Sequence, residues 1–347
     1  MGDRDQAITK FDFLEPFEPH RFARGGHLQT VSVKLIRPEL DIDTRPDAVA
    51  FDVPDDGTPP DTLSGYYFPA DKSRDDDDDK PLVIVLHGMG GHALSGYMRS
   101  AAERLTQGGY PVVLWNNRGA GGSARNCRRL HHPGYTDDLR HLFRYLSDQR
   151  SDWCRGGLMS MAFSLGANLL LRYLGETGEE SDLRAAASVS APIDMEVTSQ
   201  NLRTGSNRLF DRYLLKKQRD ELLRENADID DQERETIRNV RSVWELDDQF
   251  TAKRFGLSGA SEYYAKNSAA GVLEQIRTPT LLMHAKDDPV VDDDVFDDHP
   301  WREGGPLYPA MVQSGGHTGF YAKDGSRWHE TATVNFFDWV LRQSVDC

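Results

Sequence analysis

The feature that most constrains the fold is a series of short apolar segments that alternate with segments of helical length. Residues 95–109 and 136–150 have the length of helices, and the first of them ends in two glycines, which is a helix stop signal. Strands that alternate with helices predict an α/β fold, with a mostly parallel sheet and helices on both faces. Five segments are short, apolar and bounded by Gly, Pro or charged residues, as buried strands are: 81–88, 110–117, 156–163, 185–192 and 278–285.

Further segments extend the predicted sheet to eight strands. Residues 48–57 and 62–70 have the pattern of two antiparallel edge strands, and 308–315 have the pattern of a last strand before a helix over 328–343. The segment 71–80 contains five consecutive aspartates, which repel one another, so we expect a solvated loop there.

One long segment between predicted strands differs in composition from the rest. Residues 193–270 are rich in Arg, Glu, Asp and Leu and contain no strand-like run. Within it, 209–226 and 230–246 are expected to be charged amphipathic helices. Because the segment interrupts the predicted sheet, we expect an inserted helical cap rather than a separate domain. The predicted division is an N-terminal arm over 1–47, a first part of the α/β core over 48–192, the cap over 193–270 and a second core part over 271–347.

The charge of the chain argues against two classes of partner. Among 347 residues, 56 are acidic and 41 basic, so the formal net charge of −15 repels nucleic-acid phosphates and anionic lipid headgroups. The cysteines, Cys127, Cys154 and Cys347, are too few and too scattered for a disulfide framework or a zinc site. The first residues lack the apolar core of a secretory signal, and no stretch approaches the roughly 18 consecutive apolar residues of a membrane span. We therefore expect a cytoplasmic protein with no integral membrane span and no nucleic-acid partner.

The strongest candidate for chemistry is a serine at a strand–helix corner. Ser164 follows the predicted strand 156–163, precedes the apolar run 168–174, and lies in Ala162-Phe163-Ser164-Leu165-Gly166. A nucleophile at such a corner needs small residues two positions before and after it, because backbone and helix crowd there, and the usual pattern is G-x-S-x-G. Alanine at position 162 departs from this pattern but stays small. A serine in this place can also cap the helix, and the two roles are compatible.

A glycine-rich turn, His87-Gly88-Met89-Gly90-Gly91, lies at the end of the predicted strand 81–88. Hydrolysis of an ester passes through an anionic tetrahedral intermediate, which needs converging N–H donors, and glycines let the backbone approach a substrate closely. The backbone N–H groups of Met89 and Leu165 are our candidates for this oxyanion hole. A tight turn with no chemical role is the alternative, and His87 is expected to hold the loop.

Two late segments supply a candidate base and a candidate acid. His317 lies in a glycine-rich stretch after the last predicted strand, where its imidazole can accept a serine proton. Asp287 and Asp288 both follow the fifth apolar strand, and we favour Asp288, the fourth residue after His284, as the acid that orients His317. The chain order Ser164, Asp288, His317 is the order of α/β-hydrolases, and each candidate follows a predicted strand, at the end where open α/β sheets build their sites.

With these residues in place, the chain resembles the YheT-like α/β-hydrolases, which are related to the eukaryotic abhydrolase-domain lipases. The resemblance covers nearly the whole chain and reaches beyond the serine, the acid and the histidine. It implies an α/β-hydrolase fold and the hydrolysis of carboxylic esters, with short- to medium-chain or lipid-derived acyl groups among the candidate substrates. The matching segments are Gly26-His27-Leu28-Gln29-Thr30, with Gly26 where the family has proline, Asn116-Asn117-Arg118-Gly119, Phe163-Ser164-Leu165-Gly166-Ala167-Asn168, His284-Ala285-Lys286-Asp287-Asp288-Pro289 and Gly316-His317.

The expected mechanism is a two-step acyl transfer. Ser164 attacks the acyl carbonyl as His317 takes its proton, Asp288 holds His317, and water then releases the acid. No metal or organic cofactor is required, and the expected partner is a small-molecule acyl ester. The same residues would serve a thioesterase or an amidase, and a catalytically silent hydrolase scaffold with a binding role is the alternative from another class.

Several other residues carry expectations about packing. The cap is expected to form the acyl pocket, with four apolar residues setting the length of the chain that it accepts: Leu209, Phe210, Tyr213 and Leu214. Arg118 is expected to anchor a loop through carboxylates. His27 and Gln29 are expected to pack the N-terminal arm near the glycine-rich turn, and Tyr263 and Tyr264 are expected to belong to the core.

Overall fold

The architecture is one eight-stranded sheet. The computed structural model describes residues 11–35, 46–53, 59–71, 80–297, 299–302 and 304–345. The strands are β1 (Asp47–Asp52), β2 (Thr62–Phe68), β3 (Leu82–Leu86), β4 (Val112–Asn116), β5 (Leu158–Phe163), β6 (Leu183–Val189), β7 (Thr280–Ala285) and β8 (Leu307–Val312). Their order across the sheet is β1-β2-β4-β3-β5-β6-β7-β8, and β3 to β8 run parallel. The predicted α/β fold with a mostly parallel eight-stranded sheet is confirmed.

The two early strands differ from their prediction in one respect. Both pair in antiparallel fashion, β1 with β2 and β2 with β4, so only β1 lies at the edge and β2 lies inside the sheet. Gly65 of β2 allows this close approach, because a Cβ there would lie 2.7 Å from the carbonyl oxygen of Leu114. The expectation of two edge strands was wrong for β2.

Helices cover both faces of the sheet. They are α1 (Gly26–Leu35), α2 (Gly96–Gln107), α3 (Asp137–Gln149), α4 (Leu165–Thr177), α5 (Met195–Leu202), α6 (Arg208–Leu222), α7 (Asp231–Asn239), α8 (Val243–Leu246), α9 (Ala252–Arg254), α10 (Ala260–Asn267), α11 (Asp294–Asp297) and α12 (Trp328–Val345). In β3, Leu82 and Ile84 pack with α3 and α4, whereas Val83 and Val85 pack with α2 and α12. The central strands β3, β4, β5 and β7 are buried at every position, because helices cover both of their faces.

The segment between β6 and β7 is helical, as its composition predicts, and contains α5 to α10. The helix expected over 230–246 is instead two helices, α7 and α8, separated at Val240, whose backbone is extended (φ −61°, ψ 151°). Asp230 caps α7 and Ser242 caps α8 through side-chain oxygens, so each helix has its own start. The division of the chain into arm, core and cap stays a prediction.

Arg118 anchors the loop after β4, in agreement with the sequence interpretation. Its guanidinium is buried between the carboxylates of Asp61 and Asp138, with Nη1 2.6 Å from Asp61 and Nε 3.1 Å from Asp138. Asp61 also accepts the backbone N–H groups of Arg128 and Arg129. These contacts tie the connection after β4 to the loop between β1 and β2 and to the first turn of α3, and the pairing of the buried charges offsets the cost of their desolvation.

Some residues that carry sequence expectations lie outside the part of the chain that the structure describes. The run of five aspartates in 71–80 lies outside the described residues, as do residues 1–10 and Cys347. Within the described residues, every helix is too short or too polar to cross a lipid bilayer.

Candidate active site

Ser164 lies at the sharp corner between β5 and α4. Its backbone is at φ 51° and ψ −122°, a left-handed conformation that residues other than glycine rarely adopt. Its N–H donates to the Val189 carbonyl at 2.8 Å, which fixes the corner to β6. Gly166 is required two positions later, because a Cβ there would lie 2.4 Å from the His87 carbonyl oxygen. Ser164 occupies the cap position of α4, but its side chain makes no capping hydrogen bond, so its hydroxyl is available for another contact.

The Ser164 hydroxyl contacts the imidazole of His317. Ser164 Oγ lies 2.8 Å from His317 Nε2, and His317 Nδ1 lies 2.9 Å from Asp288 Oδ2. With the proton on Nδ1 donated to Asp288, Nε2 is free to accept the serine proton. The structure thus brings together the three side chains that the sequence proposed, although 124 and 29 residues separate them along the chain (288 − 164 and 317 − 288).

Asp288 is buried and held by more than the histidine. Its Oδ1 accepts the N–H groups of Val290 at 2.8 Å and Val291 at 3.0 Å. Burial by itself would raise the pKa of Asp288, but the His317 imidazole, His284 and the Val291 N–H together hold it below its usual value. The carboxylate is therefore charged at neutral pH and is suited to stabilise an imidazolium.

Asp287 has a different partner from its neighbour. Its Oδ1 accepts the N–H groups of Gly315 and Gly316, both at 2.8 Å, and its Oδ2 accepts the Ser314 hydroxyl at 2.8 Å. Geometry therefore separates the two candidate acids, because Asp288 contacts the imidazole of the histidine and Asp287 contacts the backbone that carries it.

The N–H of Met89 lies in the turn that packs against Ser164, and both residues line the same pocket. The carbonyl of Gly88 is turned the other way, where it accepts His87 Nδ1 at 2.8 Å and the Gly91 N–H at 3.1 Å. Because the N–H of a trans peptide points opposite to the preceding carbonyl, the Met89 N–H faces away from that turn. The turn lies against Ser164, since a Cβ on Gly88 would be 2.9 Å from the Ser164 Cβ.

The N–H of Leu165 is oriented by the same rule. The Ser164 carbonyl accepts the N–H groups of Ala167 at 2.9 Å and Asn168 at 3.1 Å inside the first turn of α4. The Leu165 N–H therefore points out of the helix, at its positive end. Among the described residues, neither this N–H nor that of Met89 donates to a protein acceptor, so both are available to a ligand.

His87 holds the glycine-rich turn, as the sequence interpretation proposed. Its Nε2 accepts the Asn117 N–H at 3.0 Å, while the Gly88 N–H donates to the Tyr97 hydroxyl at 3.1 Å. Burial lowers the pKa of His87 to about 4, so the ring stays neutral at physiological pH. Its Nδ1 can then donate to the Gly88 carbonyl while its Nε2 accepts the Asn117 N–H.

A pocket of about 800 Å³ opens above Ser164 and His317. Three of the four residues expected to shape it, Phe210, Tyr213 and Leu214, line it, but Leu209 does not and is 67% exposed. The expectation for Leu209 was wrong because its side chain lies on the solvent face of α6. The remaining apolar lining comes mainly from Val31, Leu94, Phe163, Met195, Leu202, Val290 and Val291.

The two cap tyrosines, Tyr263 and Tyr264, are both buried. Tyr264 lines the pocket and donates its hydroxyl to Asp247 Oδ2 at 2.8 Å. Burial raises the pKa of Asp247 to about 7, although hydrogen bonds from Tyr264 and Thr251 oppose that rise. Asp247 is therefore one of several polar groups in a mostly apolar wall.

Helix α1 of the N-terminal arm docks on the histidine loop. Gln29 is fully buried against the loop that carries His317, where it contacts the backbone of Tyr321, and His27 contacts Ser206 of the segment between β6 and β7. The expectation that they lie near the glycine-rich turn stays a prediction, although α1 and that turn line the same pocket. Thr30, which binds the His317 N–H, was missed, and its place in the Gly26–Thr30 motif was the available signal.

Comparison with known proteins agrees with this architecture. A family model described as serine aminopeptidase, S33, matches residues 77–298. The putative esterase YheT of Escherichia coli (strain K12) is 30% identical over 317 residues, which cover 90% of this chain and 89% of YheT. A monoacylglycerol lipase of Saccharomyces cerevisiae is 31% identical over 283 residues, 78% of this chain and 62% of the lipase, so the chain spans about three fifths of that relative.

Solved structures agree on the fold alone. The Pyrococcus furiosus esterase Pf2001 superimposes with a TM-score of 0.55 at 17% identity, over 86% of this chain and 92% of the esterase. The sheet order, the serine corner and the length of the two sequence matches are mutually consistent. The chain belongs to the α/β-hydrolase family that the matched model describes and that includes YheT of Escherichia coli.

Proposed function

We propose that the protein is a serine hydrolase that cleaves carboxylic esters through an acyl-enzyme on Ser164. The observation that carries this proposal is the continuous set of hydrogen bonds from Asp288 through His317 to Ser164, at 2.9 and 2.8 Å, beside a pocket of about 800 Å³. The three residues follow three separate strands, and the packing of the core does not require their side chains to meet. It is the arrangement that activates a serine hydroxyl.

The proposed reaction has two halves. In the first, His317 Nε2 takes the Ser164 proton as Oγ attacks the carbonyl carbon, and the Met89 and Leu165 N–H groups bind the resulting oxyanion. The imidazolium, stabilised by Asp288, then protonates the leaving alcohol. In the second half, His317 activates a water, which attacks the acyl-enzyme and releases the acid.

The substrate class is argued from the pocket. Its volume lies within the range of sites for small molecules, and its lining is predominantly apolar, with Lys217 and Asp247 among the polar exceptions. Such a wall binds an acyl chain by burying its methylene groups. Relatives of this chain are named monoacylglycerol lipase, and medium-chain fatty acid ethyl ester synthase/esterase. We therefore propose short- to medium-chain acyl esters or lipid-derived esters as the substrates.

Labelling with a fluorophosphonate probe tests the nucleophile. The wild-type protein is expected to label, Ser164→Ala is expected not to, and Ser344→Ala, at a serine on the last helix, is expected to label like wild type. Equal labelling of wild type and Ser164→Ala would show that Ser164 is not the nucleophile.

Turnover of a panel of p-nitrophenyl esters from acetate to laurate tests the reaction. Hydrolysis that rises and then falls with chain length supports an acyl pocket of limited length. A folded protein that turns over no ester supports the alternative of a silent scaffold with a binding role. Competition by acyl-CoA or by acyl amides separates a thioesterase or an amidase from an esterase, since the acyl-enzyme step is the same in all three.

A further inference from the structure

The loop that carries His317 has an uncommon backbone. Thr318 and Phe320 have φ values of 58° and 43°, in the left-handed region that residues other than glycine rarely adopt. Such a conformation is strained for a residue with a side chain and persists only where the surrounding structure holds it. The position of the imidazole therefore depends on what holds this loop.

The ends of two core strands supply part of the support. Asp287, after β7, accepts the N–H groups of Gly315 and Gly316 at 2.8 Å. Ser190, after β6, accepts the Thr318 N–H at 3.1 Å. These contacts hold the backbone on both sides of His317 but supply no acceptor for the N–H of His317 itself.

Helix α1, from the opposite end of the chain, supplies the missing contact. Thr30 Oγ1 accepts the His317 N–H at 2.8 Å and donates its own proton to the Gly26 carbonyl at 2.7 Å, which orients its lone pair toward the loop. The Gln29 amide contacts the backbone of Tyr321 twice, with Oε1 accepting its N–H at 2.7 Å and Nε2 donating to its carbonyl at 3.1 Å.

The helix and the loop approach each other backbone to backbone. A Cβ on Gly316 would lie 2.3 Å from the Gly26 carbonyl oxygen, and a Cβ on Gly319 would lie 2.4 Å from the Gln29 carbonyl oxygen. A Cβ on Gly26 would lie 1.6 Å from the carbonyl oxygen of Asp287. Contact this close leaves no room for the loop to shift toward α1, so only hydrogen bonds keep it from moving away.

We propose that Gln29 and Thr30 are positioning residues for His317, so that α1 is a working part of the active site rather than a packing arm. The proposal rests on the proposed function, because the contact serves catalysis only when His317 is the general base. Removal of the Thr30 oxygen leaves the His317 N–H without an acceptor in a crowded site. The loop then relaxes toward water, and Nε2 moves away from Ser164.

The experiment compares Thr30→Val with Thr30→Ser and with Thr333→Val. Thr333 is the matched control, because its Oγ1 also donates to the carbonyl four residues earlier in a helix, that of His329, but binds no part of the histidine loop. The two valine variants therefore lose the same intrahelical bond, and only one of them loses the contact to His317. Values of kcat and KM are measured on p-nitrophenyl acetate and octanoate, with thermal melting as the check on folding. Thr30→Ala replaces Thr30→Val if the latter does not fold.

The expected result is a fall in kcat of about tenfold to hundredfold for Thr30→Val on both esters, with KM within about twofold, as for a displaced catalytic group. Thr30→Ser keeps the oxygen and is expected to stay within about threefold of wild type, and Thr333→Val within about twofold. A loss in Thr30→Val that appears in KM and depends on acyl length would overturn the proposal, because Thr30 also lines the pocket. Equal losses in Thr30→Val and Thr333→Val would overturn it as well.

Amide hydrogen exchange of residues 314–321 separates this proposal from the proposed function. Faster exchange in Thr30→Val, with wild-type exchange in Thr30→Ser and Thr333→Val, supports the positioning of the loop even if no ester is hydrolysed. Unchanged exchange in Thr30→Val refutes it even if the wild type is an active esterase. Failure of turnover in the wild type counts against the proposed function alone.

Discussion

Replacement of Asp288 by asparagine should abolish most activity without disturbing the fold. Asp288 Oδ1 accepts the N–H groups of Val290 and Val291, so the carbonyl oxygen of an asparagine must take that place. Its NH2 group then faces His317 Nδ1, 2.9 Å from Oδ2 in the wild type, and donates to it. The imidazole proton is forced onto Nε2, which faces Ser164 at 2.8 Å and can no longer accept the serine proton.

The size of the effect follows from the cost of the alternative rotamer. Rotation of the side-chain amide by half a turn would restore the productive tautomer of His317, but it would point the NH2 group at two buried N–H donors. Each donor left unsatisfied costs about 1–3 kcal/mol. The competent state is then depleted by roughly 30-fold to 10⁴-fold. The same change in a serine protease triad lowers kcat by about 10⁴. We expect the fall in kcat caused by Asp288→Asn to lie near the larger end of that range, about 10⁴-fold.

Asp287→Asn is the matched control, because it makes the same chemical change one residue away. Its carbonyl oxygen can keep the Gly315 and Gly316 N–H groups, and its NH2 can donate to the Ser314 hydroxyl, which accepts as well as donates. A loss of less than about tenfold in kcat is expected, since no tautomer changes. Initial rates on p-nitrophenyl butyrate give both values. An Asp288→Asn variant that keeps more than about a tenth of the wild-type kcat, or an Asp287→Asn variant that is equally impaired, would refute the reasoning.

Two further predictions concern stability. Gly166→Ala places a Cβ 2.4 Å from the His87 carbonyl oxygen, so urea unfolding should give a loss of about 1–3 kcal/mol, and an unchanged midpoint would contradict the crowding at the serine corner. Burial raises the pKa of Glu330 to about 7 although the Arg327 guanidinium opposes that rise, so the folded state binds this proton more tightly than the unfolded state. The stability that this group contributes is complete below its unfolded pKa of about 4.5 and is lost as the pH rises through about 7. Glu330→Gln should therefore raise the melting temperature relative to wild type more at pH 8 than at pH 5, and an equal difference at both pH values would contradict this assignment.

Local pattern in the sequence was sufficient to locate most of the strands and the serine corner. An apolar run between charged or glycine boundaries predicts a strand buried on both faces, and this is why β3 to β7 were all located. Ser164 was recognisable because its corner needs small neighbours, and these are adjacent in the chain. The order of the candidate acid and base followed from the same alternation, since each follows a strand.

Contacts between distant segments were decided only by the tertiary structure. Asp287 and Asp288 are adjacent and chemically identical, and their roles separate only because successive side chains after β7 point to different parts of the histidine loop. Leu209 has the same apolar character as Phe210, yet the rotation of α6 leaves it in solvent. Thr30 stands in the Gly26–Thr30 motif, which marks it for attention, but nothing in that motif indicates that its partner is His317, 287 residues later. Periodicity in a sequence reports how much of a side chain is buried, whereas the partner that buries it is set by packing between elements.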